Sequence, residues 1–302
     1  MVNLHTARIL MSGVSGPIGS TLVPVLKEAG AQVTRLVRSR TASDQQTIFW
    51  DPAQPLSPDA VSSFDAVIHL AGETIVGRWT AAKKTKIRDS RVLGTRNLAE
   101  AIAQAKSKPR VFISSSAIGY YGDRGDEVLD EQSTAGSGFL AEVCRDWEAA
   151  TQPAAHAGIR TIQIRTGVVL TASGGALGKM LTPFKLGVGG KIGSGRQWMS
   201  WIDIQDMVGA ILHILGTDSL QGAVNLVGPN PVTNAEFTKT LGHVLSRPTI
   251  FPMPRFAAKL AFGEMGETVL LGSQKVAPTR LAGSGYIFQF SNLRGSLEHL
   301  LK

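Results

Sequence analysis

Short apolar runs alternate along this chain with longer stretches in which apolar positions recur every three or four residues. The short runs, at Ile9–Met11, Gln32–Val37, Thr47–Trp50, Ala66–Leu70, Arg110–Ser114, Thr161–Thr166 and Ala223–Leu226, predict buried strands. The longer stretches predict helices over about 17–29, Ala81–Ala105, Gly138–Ala157, Ile204–Leu215 and Asn234–Leu245, with Asp203 and Asn234 as N-caps. Strand and helix in alternation imply an α/β fold built on a doubly wound parallel sheet. From about Gly174 the rhythm weakens into a glycine-rich stretch, 187–195, followed by Trp198 and Trp201. Pro248, Pro252 and Pro254 then open a small C-terminal segment.

Composition narrows the class without naming a chemistry. A chain of 302 residues, 43% of them hydrophobic, buries roughly three-quarters of its unfolded surface when it folds. Its formal charge of +8 raises the question of nucleic acid, but the cations are scattered and few aromatic residues offer bases a stacking surface. Lys83, Lys84, Lys86, Arg88 and Arg91 form the one dense group, on an expected helix. No nucleic-acid partner is expected. Nor is a membrane partner: the longest late apolar run, Met207 to Leu215, contains His213 and is far too short to span a bilayer. Leu10 to Leu26 has the apolar look of a signal-peptide core, but its glycines and prolines fit a strand, a turn and a helix better. Cys144 is the single cysteine, which excludes an internal disulfide and suits a reducing, cytoplasmic compartment. The histidines lack carboxylate or thiol partners at ligand spacing, so no metal is expected.

The candidate chemistry begins at the first strand. Gly13, Gly16 and Gly19 follow it with the spacing that cradles a dinucleotide pyrophosphate against a helix N-terminus. Gly13 allows a tight turn, Gly16 lets backbone approach a phosphate, and Gly19 permits close helix–strand packing. Ser15, Pro17 and Ile18 complete the candidate contacts, with Pro17 at the first helical position, where its missing N–H costs nothing. An NAD site places an acid about 20 residues further on to hold the ribose 2′-hydroxyl. Here Arg35 and Arg38 stand there, and the nearest acid is Asp44. Guanidinium groups suit a 2′-phosphate, so the cofactor expected is NADP(H). Asp51 is a candidate for the adenine amine or for a turn cap. The expected division is a core over 1–173, substrate-side loops interleaved with the last core elements over 174–247, and a small C-terminal domain over 248–302.

Further motifs recur in order: His69-Leu-Ala-Gly-Glu73, Arg78-Trp79-Thr80, Ser90-Arg91, Ser114-Ser-Ser-Ala-Ile-Gly-Tyr-Tyr-Gly122, Gly189-Gly-Lys-Ile-Gly-Ser-Gly-Arg-Gln-Trp198, Ser200-Trp-Ile202 and Asn234-Ala-Glu-Phe237. Over essentially its whole length the chain thereby resembles the atypical, extended-like short-chain dehydrogenase/reductases of the epimerase-like family, which end in a domain of unknown function. The resemblance implies an extended Rossmann fold and NADP(H), and it implies no particular substrate. It also implies backbone contacts to the cofactor from Leu70, Ala71 and Gly72, with Glu73 and Ser114 close by. Arg38 takes the place of the 2′-phosphate reader, Arg91 that of a second anion contact, and Val169 that of a residue beside the nicotinamide.

One expected pair is missing. Typical members of the wider superfamily move the substrate proton with a Tyr whose pKa is lowered by a Lys four residues later, and a Ser orients the substrate. Ser116 matches that serine, but there is no tyrosine between Tyr121 and Tyr286 and no lysine between Lys108 and Lys179. The pair reads either Phe139 and Val143 or Leu140 and Cys144. Substitutes are Tyr120, and Glu73 if burial raises its pKa. Two functions remain open: an NADP(H)-dependent oxidoreductase or epimerase-like enzyme acting on a small molecule, and a non-catalytic NADP(H) sensor or scaffold.

Overall fold

A computed structural model describes residues 2–38 and 46–302; the acid Asp44 lies outside the described residues. Strands β1 (Arg8–Ser12), β2 (Gln32–Val37), β3 (Thr47–Phe49), β4 (Ala66–His69) and β5 (Val111–Ala117) join strands Arg160–Thr166 and Gly222–Leu226 in one seven-stranded sheet. Every pairing in it is parallel, and the order across it is Gly222–Leu226, Arg160–Thr166, β5, β4, β1, β2, β3. The chain winds outward from β1 to β3 and then restarts at β4 on the other side of β1. That reversal opens a crevice at the carboxyl ends of β1 and β4, where doubly wound sheets take their ligands.

Both faces of the sheet are covered, which is why its strands read as unbroken apolar runs. Ile9, Met11, Ile68, Ile113 and Ile164 pack on one side with Leu22 and Leu26 of helix α1 (Pro17–Glu28) and with Met207 and Ile211 of helix Ile204–Gly216. Leu10, Val67 and Phe112 pack on the other with Leu98 and Ile102 of helix α2 (Ala81–Gln104). The stretch that resembled a signal-peptide core is β1 and α1.

The boundaries differ from the sequence pattern in places with identifiable causes. The helix expected over 138–157 is two, α3 (Phe139–Ala149) and a short Gln152–His156, because Pro153 cannot supply the amide that would continue the first. The N-cap of helix Asn234–Leu245 is Thr233, not Asn234: Thr233 and Glu236 close a capping box. Asp203 is the N-cap expected, its side chain accepting from the Gln205 N–H. Strand β5 runs three residues beyond the expected end at Ser114, which carries Ser116 into the sheet.

The C-terminal segment is bolted to the core through buried carboxylates. Asp206 accepts hydrogen bonds from the backbone N–H groups of Gln289 and Phe290 at 2.8 and 2.9 Å and from the Tyr286 hydroxyl at 3.0 Å. Strand Lys275–Val276 lies parallel to Val128–Leu129, and Ser296 donates to Asp203 at 2.6 Å. Among the described residues no helix is long and apolar enough to cross a membrane.

Candidate functional site

At the carboxyl ends of β1 and β4 the chain forms a cleft of about 410 Å³, within the range of small-molecule and cofactor sites. Gly13 turns the chain with φ +73°, and a Cβ there would stand 2.5 Å from the Leu70 carbonyl carbon and 2.7 Å from the Ala71 nitrogen. A Cβ on Gly19 would meet the Gly13 oxygen and lie 2.7 Å from Val14 Cα. Both positions therefore require glycine, and together they clamp the turn against the β4 exit and α1. Gly16 differs. Its nearest protein neighbour to a Cβ would be the Gly13 oxygen at 3.4 Å, so that side of the residue faces the cleft.

Eight of the expected cofactor residues line this one cleft: Gly13, Ser15, Gly16, Arg38, Leu70, Ala71, Gly72 and Glu73. Pro17, Ile18 and Gly19 form the first turn of α1 immediately behind, Pro17 at its first position. Leu36, Trp50 and Pro52 add an apolar wall that the sequence reading did not assign to a site. Asp51 is a turn cap, its carboxylate accepting from the Ala53 N–H at 3.0 Å.

The two arginines separate. Arg38 is exposed on the cleft wall, whereas Arg35 donates to Thr47 Oγ1 at 3.3 Å, across β2 and β3, and is not part of the lining. Position along the strand explains this: Arg38 lies just past the end of β2, at the cleft, whereas Arg35 lies inside the strand beside β3. Arg91 also does a different job from the one expected. Its Nη1 donates to the Glu73 and Ile87 carbonyls at 2.9 and 3.1 Å, and its guanidinium lies 5.0 Å from the Trp147 ring, where burial lowers its pKa. It braces the Gly72–Glu73 turn from behind.

Glu73 does not behave as a base. Lys83 Nζ lies 2.6 Å from its carboxylate, and that hydrogen bond, with Lys83, Arg38 and Lys86 nearby, holds its pKa below the ordinary value. Burial, the cause that would have raised it, is outweighed. Arg38, Lys83 and Lys86 around one carboxylate leave this rim of the cleft cationic, which suits a phosphate.

Ser12 and His69, neighbours across β1 and β4, were not recognised from sequence. Ser12 lines the cleft, and its Oγ lies 2.6 Å from His69 Nδ1. Burial pushes the His69 pKa down to about 4, so the ring is neutral, and its buried Nε2 has no hydrogen-bond partner among the described residues. The Ile68-His69-Leu70 run hid this, because a lone His in an apolar strand looks like packing.

Beyond the cleft, two of the expected catalytic residues, Ser116 and Tyr120, meet a buried ion pair. Arg165, opposite Ser116 on the neighbouring strand, donates from Nε and Nη2 to both Glu148 oxygens at 2.8 Å. Ser116 donates to Glu148 Oε1 at 2.7 Å, and Ser114 is wholly buried in β5. Tyr121 donates to Asn225 at 2.7 Å, accepts from Arg165 at 3.0 Å, and is pushed up to about 12 by burial. The Tyr120 ring lies 3.5 Å from the Arg165 guanidinium. Val169 sits in the short strand Val168–Leu170, outside the cleft lining.

The geometry also separates the two possible registers for the missing pair. Leu140 and Cys144 face the turn after β5: a Cβ on Gly119 would lie 3.4 Å from Leu140 Cβ and 3.8 Å from Cys144 Sγ. Phe139 turns away onto Trp79, with ring centroids 5.2 Å apart. Leu140, Cys144 and Glu148 thus form one helical row at four-residue spacing. Burial pushes the Cys144 thiol up to about 12, which keeps it neutral and unreactive. Trp201 is core, fully buried with its Nε1 donating to the Asn230 carbonyl, while Trp198 is half-buried and donates to Asp126.

A doubly wound parallel sheet with a glycine-clamped cleft at its switch point defines a Rossmann-type nucleotide-binding protein. The chain belongs to the NAD dependent epimerase/dehydratase family, which it matches over residues 9–228, and residues 253–300 match a domain of unknown function, DUF1731. It is 42% identical over 295 residues to the epimerase family protein ML0860 of Mycobacterium leprae, covering 97% of this chain and 95% of that one. It is 36% identical over 298 residues to human epimerase family protein SDR39U1, covering 97% and 99%. The crystal structure of human SDR39U1 with NADPH superposes with a TM-score of 0.89 at 35% identity, covering 97% of this chain and 98% of that one. A nucleoside-diphosphate sugar epimerase from Corynebacterium glutamicum gives a TM-score of 0.82 at 37% identity, covering 98% of this chain and 58% of that one.

Proposed function

We infer that the protein binds NADP(H) in the cleft between β1 and β4 and uses it as an oxidoreductase or epimerase-like enzyme on a small molecule. The observation that carries this is the cleft itself: a glycine turn that nothing but backbone can fill, with Arg38 and no acid at the described end of β2. The residues present fit the group. Backbone N–H groups from Gly13 to the first turn of α1, with the positive end of that helix, face the place of a pyrophosphate. Arg38 would meet a 2′-phosphate, Leu36, Trp50 and Pro52 would flank an adenine, and Leu70 to Gly72 would offer backbone to the inner ribose. Human SDR39U1, crystallised with NADPH, supports the choice of nucleotide.

A bound nicotinamide supplies or accepts a hydride, a step that depends on geometry more than on protein functional groups. For the accompanying proton the chain offers little. Ser116 commits its hydroxyl hydrogen to Glu148, and Glu73 is held as a carboxylate by Lys83. Tyr120 Oη is the remaining donor, with the Arg165 guanidinium packed against its ring.

A panel of aldehydes, ketones and nucleotide sugars, followed by NADPH absorbance, tests the enzymatic reading. Turnover of at least one member, reduced about a hundredfold by Tyr120→Phe with NADPH affinity unchanged, is expected. NADPH binding without turnover of any member favours the sensor or scaffold.

A further inference from the structure

The distribution of charge and exposed hydrocarbon sets one region apart from the cofactor cleft. Residues 174–202 and 246–263 contain seven Lys and Arg and no Asp or Glu, so nearly all of the formal +8 sits in these two segments. They run side by side. Arg247 Nε donates to the Lys185 carbonyl at 2.9 Å, Gly190 bridges Ile250, and the Met253 N–H donates to the Lys191 carbonyl at 2.8 Å. Helix Arg255–Phe262 follows directly.

The same segments expose six large apolar side chains. Leu186 and Val188 come from the first, Ile250 and Phe251 from the second, and Phe256 and Leu260 from one outward face of the helix, four residues apart. Each is between 56% and 76% exposed, so they stand out from the surface and do not line a groove. Lys185, Lys191, Arg247, Arg255 and Lys259 are exposed among them. Glu267, from the next turn, meets Arg255 at 3.6 Å and Lys259 at 3.1 Å and offsets part of that charge.

We propose that this lip docks the protein on an anionic phospholipid surface, with its apolar side chains in the headgroup boundary and its cations on the lipid phosphates. Protruding hydrocarbon interleaved with cations is the combination such an interface rewards. Each other occupant fits it less well. A two-fold contact with a second copy would set the acid-free segments against themselves, like charge on like charge. A nucleic acid would find phosphate contacts, but only Phe251 and Phe256 of the six apolar side chains offer bases a ring to stack on. A peptide needs a groove or a sheet edge to fix its register.

Co-sedimentation of the full chain with vesicles tests this. Vesicles one-third phosphatidylglycerol in phosphatidylcholine are compared with phosphatidylcholine alone, at about 0.01 M and about 1 M salt, where the Debye length falls from about 30 to about 3 Å. Binding to the anionic vesicles alone, weakened at high salt, is expected. Phe256→Ser/Leu260→Ser should weaken it at least about tenfold. Ile287→Ser, which trims an even more exposed apolar residue outside the two segments, should leave it unchanged. Equal binding to both vesicles, or to neither, overturns the proposal. So does a dimer in light scattering that the double variant dissolves, or tighter binding to polyglutamate or to a single-stranded oligonucleotide than to the vesicles.

Discussion

Ser116 shows how a sequence match can preserve a residue while its surroundings reassign its hydrogen bond. Its hydroxyl points to Glu148, which is paired with Arg165, and both charges are nearly enclosed. A buried ion pair is costly to break because the remaining charge stays uncompensated. Glu148→Leu should therefore cost about 3–5 kcal/mol in urea unfolding, and a loss below about 1 kcal/mol would show the pair to be a surface-like contact. His69 makes a second prediction at this scale. Its pKa is about 4 in the folded protein against 6.5 in an unfolded chain, so the folded state resists protonation that the unfolded state accepts. Its contribution is complete above pH 6.5 and is lost as pH falls towards 4, roughly 3 kcal/mol in all. The difference in stability between the protein and His69→Gln should carry that slope; parallel pH profiles would place the imidazole in water.

The elements were the most legible part of the sequence because apolar runs and turn residues are local signals. The β1–turn–α1 unit is read directly from its glycines, and the parallel sheet from the alternation around it. What escaped was non-local. Ser116 stands opposite Arg165 only because β5 and its neighbour strand pair in one register, Glu148 reaches both from α3, and the Ser12–His69 contact crosses two strands. Arg35 and Arg38 look equivalent in a string, yet only Arg38, just past the end of β2, joins the cleft lining. The Thr233 cap is legible in principle through its Glu three residues later, but the adjacent Asn234 is an equally good cap type by sequence. The cradle itself makes a paired prediction. Gly19→Ala collides with the Gly13 backbone and should lower the melting temperature and abolish NADPH binding together. Gly16→Ala has room in the protein and should keep the melting temperature while weakening NADPH, because its methyl group enters the cleft. Equal thermal losses in the two variants would mean that Gly16 serves packing.

At the scale of the molecule, the C-terminal segment is held both by buried carboxylates and by apolar side chains, Leu281, Leu293 and Leu297, that join the core. Asp206 alone receives two backbone N–H groups and a phenol from residues 286–290. Asp206→Ala leaves those donors unpaired and should cost about 1–3 kcal/mol, with faster proteolysis of the last 24 residues before the sheet unfolds. Loss of the whole fold in a single step would instead show the segment and the sheet to be one cooperative unit. Neither Asp206 nor residues 286–290 line the cleft, so NADPH affinity should survive the substitution.

The central claim is that the cleft reads the 2′-phosphate of NADP(H) through Arg38. Fluorescence titration of NADPH and NADH against the protein and against Arg38→Glu tests it most directly. A charge-assisted contact of about 1.5–3 kcal/mol corresponds to about a ten- to hundredfold preference for NADPH. The protein should show that preference and Arg38→Glu should lose it, with NADH affinity little changed. Equal affinity for the two nucleotides in the unaltered protein, or undiminished NADPH affinity in Arg38→Glu, would contradict it.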